Sequence, residues 1–135
     1  MVTEIPPGAE EISFRGFNQH VGPLYRLPDG DAHRYGFVVE NKHMNGAGTV
    51  HGGMLMGLAD IAMSRTTREV TGAATCSTIG LTCDFLAPGK LGDLIEARVL
   101  VMRRTRTMVF MSAEISTGER RLLVAQGVWK IGKTR

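Results

Sequence analysis

One stretch of the sequence constrains the fold more than any other: a run of helix-forming residues over 53–70 that contains only Gly57 as an internal helix breaker. Its apolar residues cover every side of a helix; they are Met54, Leu55, Met56, Leu58, Ala59, Ile61, Ala62 and Met63. A helix that is apolar all round is a buried one, so we expect a long central helix that ends near Gly72. Asp60 is the single carboxylate in the middle of this apolar run. Because burial of an unpaired carboxylate is costly, Asp60 is predicted either to be tied to a partner or to serve in chemistry.

Strand patterns fill the chain on both sides of the predicted helix. Residues 94–104 alternate between two sets of side chains, as a strand with one buried face does. The other predicted strands are 34–40, 75–86, 107–117 and 122–131. The connections between the last four strands are short, so consecutive strands are expected to be antiparallel neighbours. A long buried helix followed by an antiparallel meander predicts an α+β fold whose sheet wraps round the helix.

The length of 135 residues corresponds to one domain with a substantial core. We divide the chain into a leader over 1–33, with a short helix and a turn, and a main α+β unit over 34–135. Within the leader, weak helical patterning over 10–24 precedes a short strand at 25–27 and a turn at 28–30. No apolar run reaches about 18 residues, so no transmembrane helix is predicted.

Charge and cysteine content narrow the class of protein. A formal net charge of +3 suits an anionic small ligand but gives no indication of nucleic-acid binding. Cys76 and Cys83 are seven positions apart in one predicted strand, so we expect them on opposite faces and unable to form a disulfide. Reduced thiols, and an acidic N-terminal stretch unlike a signal peptide, predict a cytoplasmic protein.

The sequence shows no pattern typical of a metal site. Its four histidines and two cysteines lack the spacing of metal ligands. It also lacks the Gly-x-Ser-x-Gly elbow of many serine hydrolases. A metal-dependent or serine-dependent mechanism is therefore not predicted.

The loop before the helix, together with Asp60, is the candidate site. Gly52 and Gly53 stand where the helix begins, so their backbone N–H groups are expected to point outward unpaired, as a plausible oxyanion hole. Asn45 and His51 add neutral side chains to the same loop. From Gly52 to Asp60 the helix rises by roughly 12 Å, which is too far for one carbonyl group to contact both. If these features act together, two chains must share the site, with antiparallel helices related by a two-fold axis.

These residues resemble a known family. The pattern Asn45-x-x-Gly48-Thr49-x-His51-Gly52-Gly53, followed by Asp60, is similar to that of the hotdog-fold acyl-CoA thioesterases, in their PaaI-like (phenylacetate-type) branch. The similarity continues at Pro88-x-Lys90-Leu91-Gly92-Asp93 and ends at Ala125-Gln126-Gly127. It implies the hotdog fold, an acyl-CoA substrate, no cofactor beyond the coenzyme A of the substrate, and a homodimer or homotetramer.

The resemblance also implies roles for individual residues. The Gly52 N–H and Asn45 would polarise the thioester carbonyl, and Asp60 of the partner chain would activate a water or attack directly. Thr78 would orient that water, and His51 would lie near the leaving thiolate. Each also has a structural reading: Asn45 as a turn residue, His51 as a loop tie, and Thr78 as an ordinary strand residue.

Further residues are predicted to bind the substrate. Gly53 belongs to the helix N-terminus, and Met54, Met56 and Met63 could shape an adaptable acyl pocket. Arg103, Arg104 and Arg106 form a basic cluster at a strand end, which is either a solvated hairpin tip or a clamp for the coenzyme A phosphates.

Two alternatives to a thioesterase remain at this point. One is a hotdog hydratase or dehydratase acting on acyl thioesters, whose usual histidine–carboxylate pattern is not found here. The other is a non-catalytic acyl-CoA-binding protein built on the same fold. The sequence leaves the acyl chain open, and also whether Asp60 acts as a nucleophile or as a general base.

Overall fold

A computed structural model describes residues 4–28 and 33–134. These residues form β1 (Glu10–Glu11), α1 (Gly16–Val21), β2 (Tyr25–Arg26), β3 (His33–Val38), a 3₁₀ helix (Asn41–His43), α2 (Gly52–Thr71), β4 (Cys76–Phe85), β5 (Leu94–Arg104), β6 (Met108–Thr117) and β7 (Arg120–Ile131). The helix and the strands predicted for the main unit are confirmed to within a few residues. Positions 29 and 30 of the predicted turn lie outside the described residues.

The strands form one antiparallel sheet in the order β1-β2-β3-β5-β6-β7-β4. The α+β architecture is therefore confirmed. The short connection between β4 and β5 predicted that these strands would be neighbours, and this prediction is wrong. β4 instead pairs with β7, and β3 takes the place beside β5. The connecting residues make their hydrogen bonds elsewhere: the Leu86 N–H donates to Leu122 in β7, and the Gly89 carbonyl accepts from Val50. The segment thus leads the chain across the fold instead of turning it back.

Helix α2 packs against the sheet and contacts β3, β4, β5, β6 and β7. His51 caps its start, and Gly72 ends it in a left-handed conformation with φ of 71°, which glycine adopts without a steric penalty. The largest fully buried side chains around it include Trp129, Tyr35 and Phe37. The expectation that α2 would be buried on every side is wrong for a single chain, because Met56 and its neighbours on one face remain exposed. Neither described helix is long and apolar enough to cross a membrane.

A β-bulge in β4 changes which side chains face the helix. Thr78 lies opposite Trp129 and Gly80 opposite Val128, so Ile79 is an extra residue in the strand. The extra residue shifts the alternation by one position. As a result Cys76 and Cys83 share the helix-facing side, which corrects the expectation of opposite faces, and both thiols are free.

The N-terminal segment is part of the same sheet and core. β1 pairs with β2, and β2 pairs with β3, which continues the sheet beyond the main unit. Leu24 and Leu27 are buried, and the Leu24 N–H bonds to the hydroxyl of Ser13. Residues 10–27 are thus packed against the rest of the chain.

Candidate active site

Asp60 lies at the middle of α2, on the flank that faces the edge strand β4. The Thr78 hydroxyl donates a hydrogen bond of 2.6 Å to its Oδ1 atom. Thr78 faces the helix because it precedes the bulge and pairs with the buried Trp129. The Asp60 side chain is half-buried, and its Oδ2 atom has no hydrogen-bond partner within the described part of the chain. This gives a carboxylate with a fixed orientation and one oxygen available to react.

His51 organises the start of the helix. Its Nδ1 atom accepts a hydrogen bond of 2.7 Å from the Gly53 N–H, which is the arrangement of a helix N-cap. The expectation that Gly53 would offer a free N–H is therefore wrong, because His51 already satisfies it. Since Nδ1 accepts, a neutral His51 carries its proton on Nε2, so the exposed side of the ring is a donor.

Gly52 retains an available N–H at the first helical position. This group donates no hydrogen bond within residues 4–28 and 33–134. The ring of Phe85 lies over Gly52, and a Cβ added at Gly52 would be 3.2 Å from the nearest ring atom. Phe85 is 52% exposed despite its size. Phe85 was not predicted as a site residue, because a large aromatic residue in a strand is usually part of the core.

Asn45 closes the loop that precedes His51. Its Oδ1 accepts hydrogen bonds from the N–H groups of Ala47 (2.9 Å) and Thr49 (3.0 Å), and its Nδ2 donates to the Thr49 hydroxyl (2.8 Å). These bonds match the reading of Asn45 as a turn residue. One hydrogen of its side-chain amide is left over, so a further role as a donor is compatible with the geometry.

The predicted acyl-pocket residues separate into two groups. Met54 and Met63 are buried in the hydrophobic core against the sheet, and their contact with substrate stays a prediction. Met56 is 38% exposed on the face of α2 that the sheet does not cover, which we call the free face of α2. Its contact with the acyl group also stays a prediction. The sequence could not distinguish them, because the helix is apolar on all sides near these positions.

The basic cluster lies at the opposite end of α2 from Gly52. Arg104 donates a hydrogen bond of 3.0 Å to the carbonyl of Val70 in the last helical turn, so it satisfies a helix C-terminus. Arg103 and Arg106 are exposed and form no ion pair within the described part of the chain. Phosphate binding by this cluster stays a prediction.

A second polar cluster, which was not predicted from the sequence, surrounds Glu69 near the end of α2. The Glu69 carboxylate accepts hydrogen bonds from Arg26 (3.1 Å) and from the Tyr35 hydroxyl (2.6 Å), and His33 lies 3.3 Å away. Burial, followed by the hydrogen bond to Glu69, raises the pKa of Tyr35 to about 12. Burial would raise the pKa of Glu69, but the hydrogen bonds from Arg26 and Tyr35 outweigh it, so this pKa is lowered. The cluster ties α2 to β2 and β3.

No group of three or more histidine, cysteine, aspartate or glutamate side chains converges as a metal site among the described residues. What the candidate site offers is a carboxylate held by a hydroxyl, a free N–H at a helix N-terminus and two further donors in the adjacent loop. Such donors stabilise the oxyanion formed when a carbonyl is attacked, and such a carboxylate can activate a water.

This arrangement on an antiparallel sheet wrapped round a long helix defines the class of hotdog-fold thioesterases. The chain belongs to the thioesterase superfamily, whose family model matches residues 47–124. A Pseudomonas aeruginosa protein provisionally named an esterase is 34% identical, over 69% of this chain and 70% of its own length. Human acyl-coenzyme A thioesterase 13 is 30% identical, over 66% of this chain and 64% of its own. The Escherichia coli PaaI protein from the phenylacetic acid degradation operon matches in structure with a TM-score of 0.70 and 27% identity, covering 76% and 75% of the two chains.

Proposed function

We propose that this protein is an acyl-CoA thioesterase, which hydrolyses an acyl-CoA thioester to a carboxylic acid and free coenzyme A. The observation that carries this proposal is the half-exposed Asp60 carboxylate held by Thr78 on the central helix, in a chain of the thioesterase superfamily. The name of the human relative, an acyl-coenzyme A thioesterase, supports the substrate class.

In this mechanism the thioester carbonyl oxygen accepts hydrogen bonds from the Gly52 N–H and from the spare amide hydrogen of Asn45. Asp60 of the partner chain takes a proton from a water, and the water oxygen attacks the carbonyl carbon. The C–S bond then breaks, and the thiolate leaves near the Nε2–H of His51. The reaction needs no metal and no cofactor beyond the substrate.

The same carboxylate could instead attack the carbonyl carbon directly. The C–S bond then breaks, the thiolate leaves, and water hydrolyses the resulting mixed anhydride. A single turnover in ¹⁸O-labelled water separates the two routes. General-base catalysis places the label in the carboxylic acid product, whereas attack by Asp60 places it first in the enzyme, when water opens the anhydride at the Asp60 carbon.

We further propose that two chains share each site. β4 is an edge strand of ten residues that pairs only with β7 among the described strands, and it exposes Ile79 and Phe85. A long edge strand with exposed apolar residues is a template for pairing with another chain. Gly52 and Asp60 are too far apart along one helix to act on one carbonyl, so a two-fold axis beside β4 would supply the missing group.

The test of the activity is free-thiol release from acyl-CoAs of different chain types, measured on the wild type and Asp60→Asn in parallel. We expect release by the wild type and a loss of about a thousandfold or more in the variant, since Asn keeps the shape and can still accept from Thr78 but cannot act as a base. Near-full activity of Asp60→Asn would refute the mechanism. Water addition to an enoyl-CoA without thiol release would replace it with a hydratase.

The shared site is tested by complementation between two inactive variants. Asp60→Asn lacks the base, and Gly52→Pro lacks the N–H. When the two chains are co-expressed, a mixed dimer has one intact site, made of Gly52 from the first chain and Asp60 from the second. Random pairing then restores about a quarter of the wild-type activity. No recovery, in a preparation that contains mixed dimers, would place both groups of a site on one chain.

A further inference from the structure

Phe17 is an exposed aromatic side chain that lies on the free face of α2. Its Cε2 and Cζ atoms are 3.4 and 3.6 Å from the position that a Cβ would occupy at Gly57, while 58% of the residue remains exposed. Gly57 is one helical turn beyond Gly53 and three residues before Asp60. The Phe17 ring thus lies on the helix face that carries the candidate active site.

A buried histidine fixes α1, the helix that carries Phe17, to the active-site loop. His43 is only 2% exposed, and its Nδ1 accepts a hydrogen bond of 2.9 Å from the Glu40 N–H. Its Nε2 therefore bears the proton and donates to the carbonyl of Val21, the last residue of α1. The backbone carbonyl of His43 also accepts from the N–H of His51, at 2.8 Å. One residue therefore holds both α1 and the N-cap of α2.

The helix surface between the Gly52 N–H and Phe17 carries few side chains. Gly53 and Gly57 have no Cβ, and an aromatic ring lies against each of them. A Cβ added at Gly53 would be 2.9 Å from Nδ1 of His51, and the Phe17 ring lies against Gly57. Between the two glycines, Met56 is 38% exposed. From Gly53 to Gly57 the helix rises by about 6 Å. A straight acyl chain that leaves the carbonyl and runs along α2 from Gly53 to Gly57 would reach the Phe17 ring after about four to six carbons.

We propose that Phe17 selects the acyl group of the substrate, admitting short chains and stopping longer ones at its ring. This inference rests on the proposed thioesterase function. The ring is apolar, so it also provides a surface on which the end of a short chain loses contact with water.

The test compares the wild type with Phe17→Ala and Phe17→Trp on straight-chain acyl-CoAs from acetyl to palmitoyl. We expect Phe17→Ala to move the chain-length optimum of kcat/KM upward. The gain in kcat/KM should be about fourfold for each methylene that is newly accommodated. Phe17→Trp should move the optimum to shorter chains.

Phe14→Ala is the matched control. Phe14 is the same residue type in the same segment and is 68% exposed, so its removal should leave the chain-length profile unchanged. If all three proteins are active and the chain-length profile is the same in the wild type and both Phe17 variants, the role of Phe17 is overturned. The thioesterase proposal is unaffected by that result. Absence of thiol release from every acyl-CoA by the folded wild type would overturn the thioesterase proposal, and this one with it.

Discussion

Replacement of Gly52 by proline is the sharpest test of the helix N-terminus as an oxyanion hole, because it removes one N–H group and little else. Gly52 is the first residue of α2, where proline is favoured, since the N–H at that position has no helical acceptor to lose. The preceding residue, His51, has φ of −60° and ψ of 133°, an extended conformation that proline accepts in its neighbour. The helix should therefore form as in the wild type.

The expected loss follows from the role of a single donor. Removal of one donor from an oxyanion hole lowers kcat by about 100- to 1,000-fold, or roughly 3–4 kcal/mol of transition-state stabilisation. The low end applies here, because the side-chain amide of Asn45 would still reach the oxyanion. KM should change little, since the contact strengthens mainly in the transition state.

Gly52→Ala is the control for the added carbon. Its Cβ would be 3.2 Å from the Phe85 ring, which is tight, but Phe85 is largely exposed and can move by the few tenths of an ångström required. We therefore expect Gly52→Ala to stay within severalfold of the wild-type kcat in a thiol-release assay. Equal kcat values for the proline and alanine variants, with both folded and of the same oligomeric state, would refute the Gly52 N–H as a catalytic donor.

Three further predictions address the surroundings of the site. Thr78→Val should lower kcat by about 10- to 100-fold, because a hydrogen bond to the Asp60 carboxylate is worth roughly 1.5–3 kcal/mol. Thr78→Ser should retain most of the activity, and equal kcat values for the Val and Ser variants would count against a positioning role of Thr78. The pKa of Tyr35 is raised to about 12 from 10, so its contribution to the free energy of unfolding should be full below pH 10 and should fall by up to about 3 kcal/mol as pH rises through 12. Urea unfolding should show this fall in the wild type but not in Tyr35→Phe, which lacks the phenol hydroxyl and its hydrogen bond to Glu69. Arg104→Met should lower the unfolding free energy by about 0.5–1.5 kcal/mol through loss of its helix C-terminal bond, and a large rise in KM for acyl-CoA would show that it also binds phosphate.

Most of the fold could be predicted because its elements have clear periodicities. The strand over 94–104 alternates without interruption, and the structure places β5 at the same residues. The position of β4 in the sheet could not be predicted, since connection length alone does not say whether the chain turns back or crosses over. The bulge at Ile79 could not be predicted either, because an extra residue leaves no mark in the sequence of a strand. It nevertheless moves every later side chain of the strand to the opposite face.

The candidate site was predictable where a residue departs from its surroundings. Asp60 is a carboxylate in an apolar helix, and its tie to Thr78 fits the expectation that it needs a partner. Residues that resemble their surroundings gave no such signal. Met56 and Met63 have the same chemistry and lie seven positions apart, yet one is exposed and the other is in the core, because only the wrapped sheet decides which side of α2 is covered.

At His51 the observed N-cap supports the chemical role that we propose for the same ring. Because Nδ1 accepts the hydrogen bond from the Gly53 N–H, the His51 ring is fixed in orientation and in the tautomer that presents Nε2–H outward. The cap also consumes the Gly53 N–H, which leaves the Gly52 N–H as the available backbone donor at this end of the helix. His51→Asn should separate the two roles, because asparagine is an effective N-cap but lacks the ring donor. We expect His51→Asn to have a thermal midpoint close to that of the wild type and a reduced kcat. Full activity of His51→Asn would leave His51 with the cap alone. His51→Ala is less informative, because it removes the cap and the ring donor together.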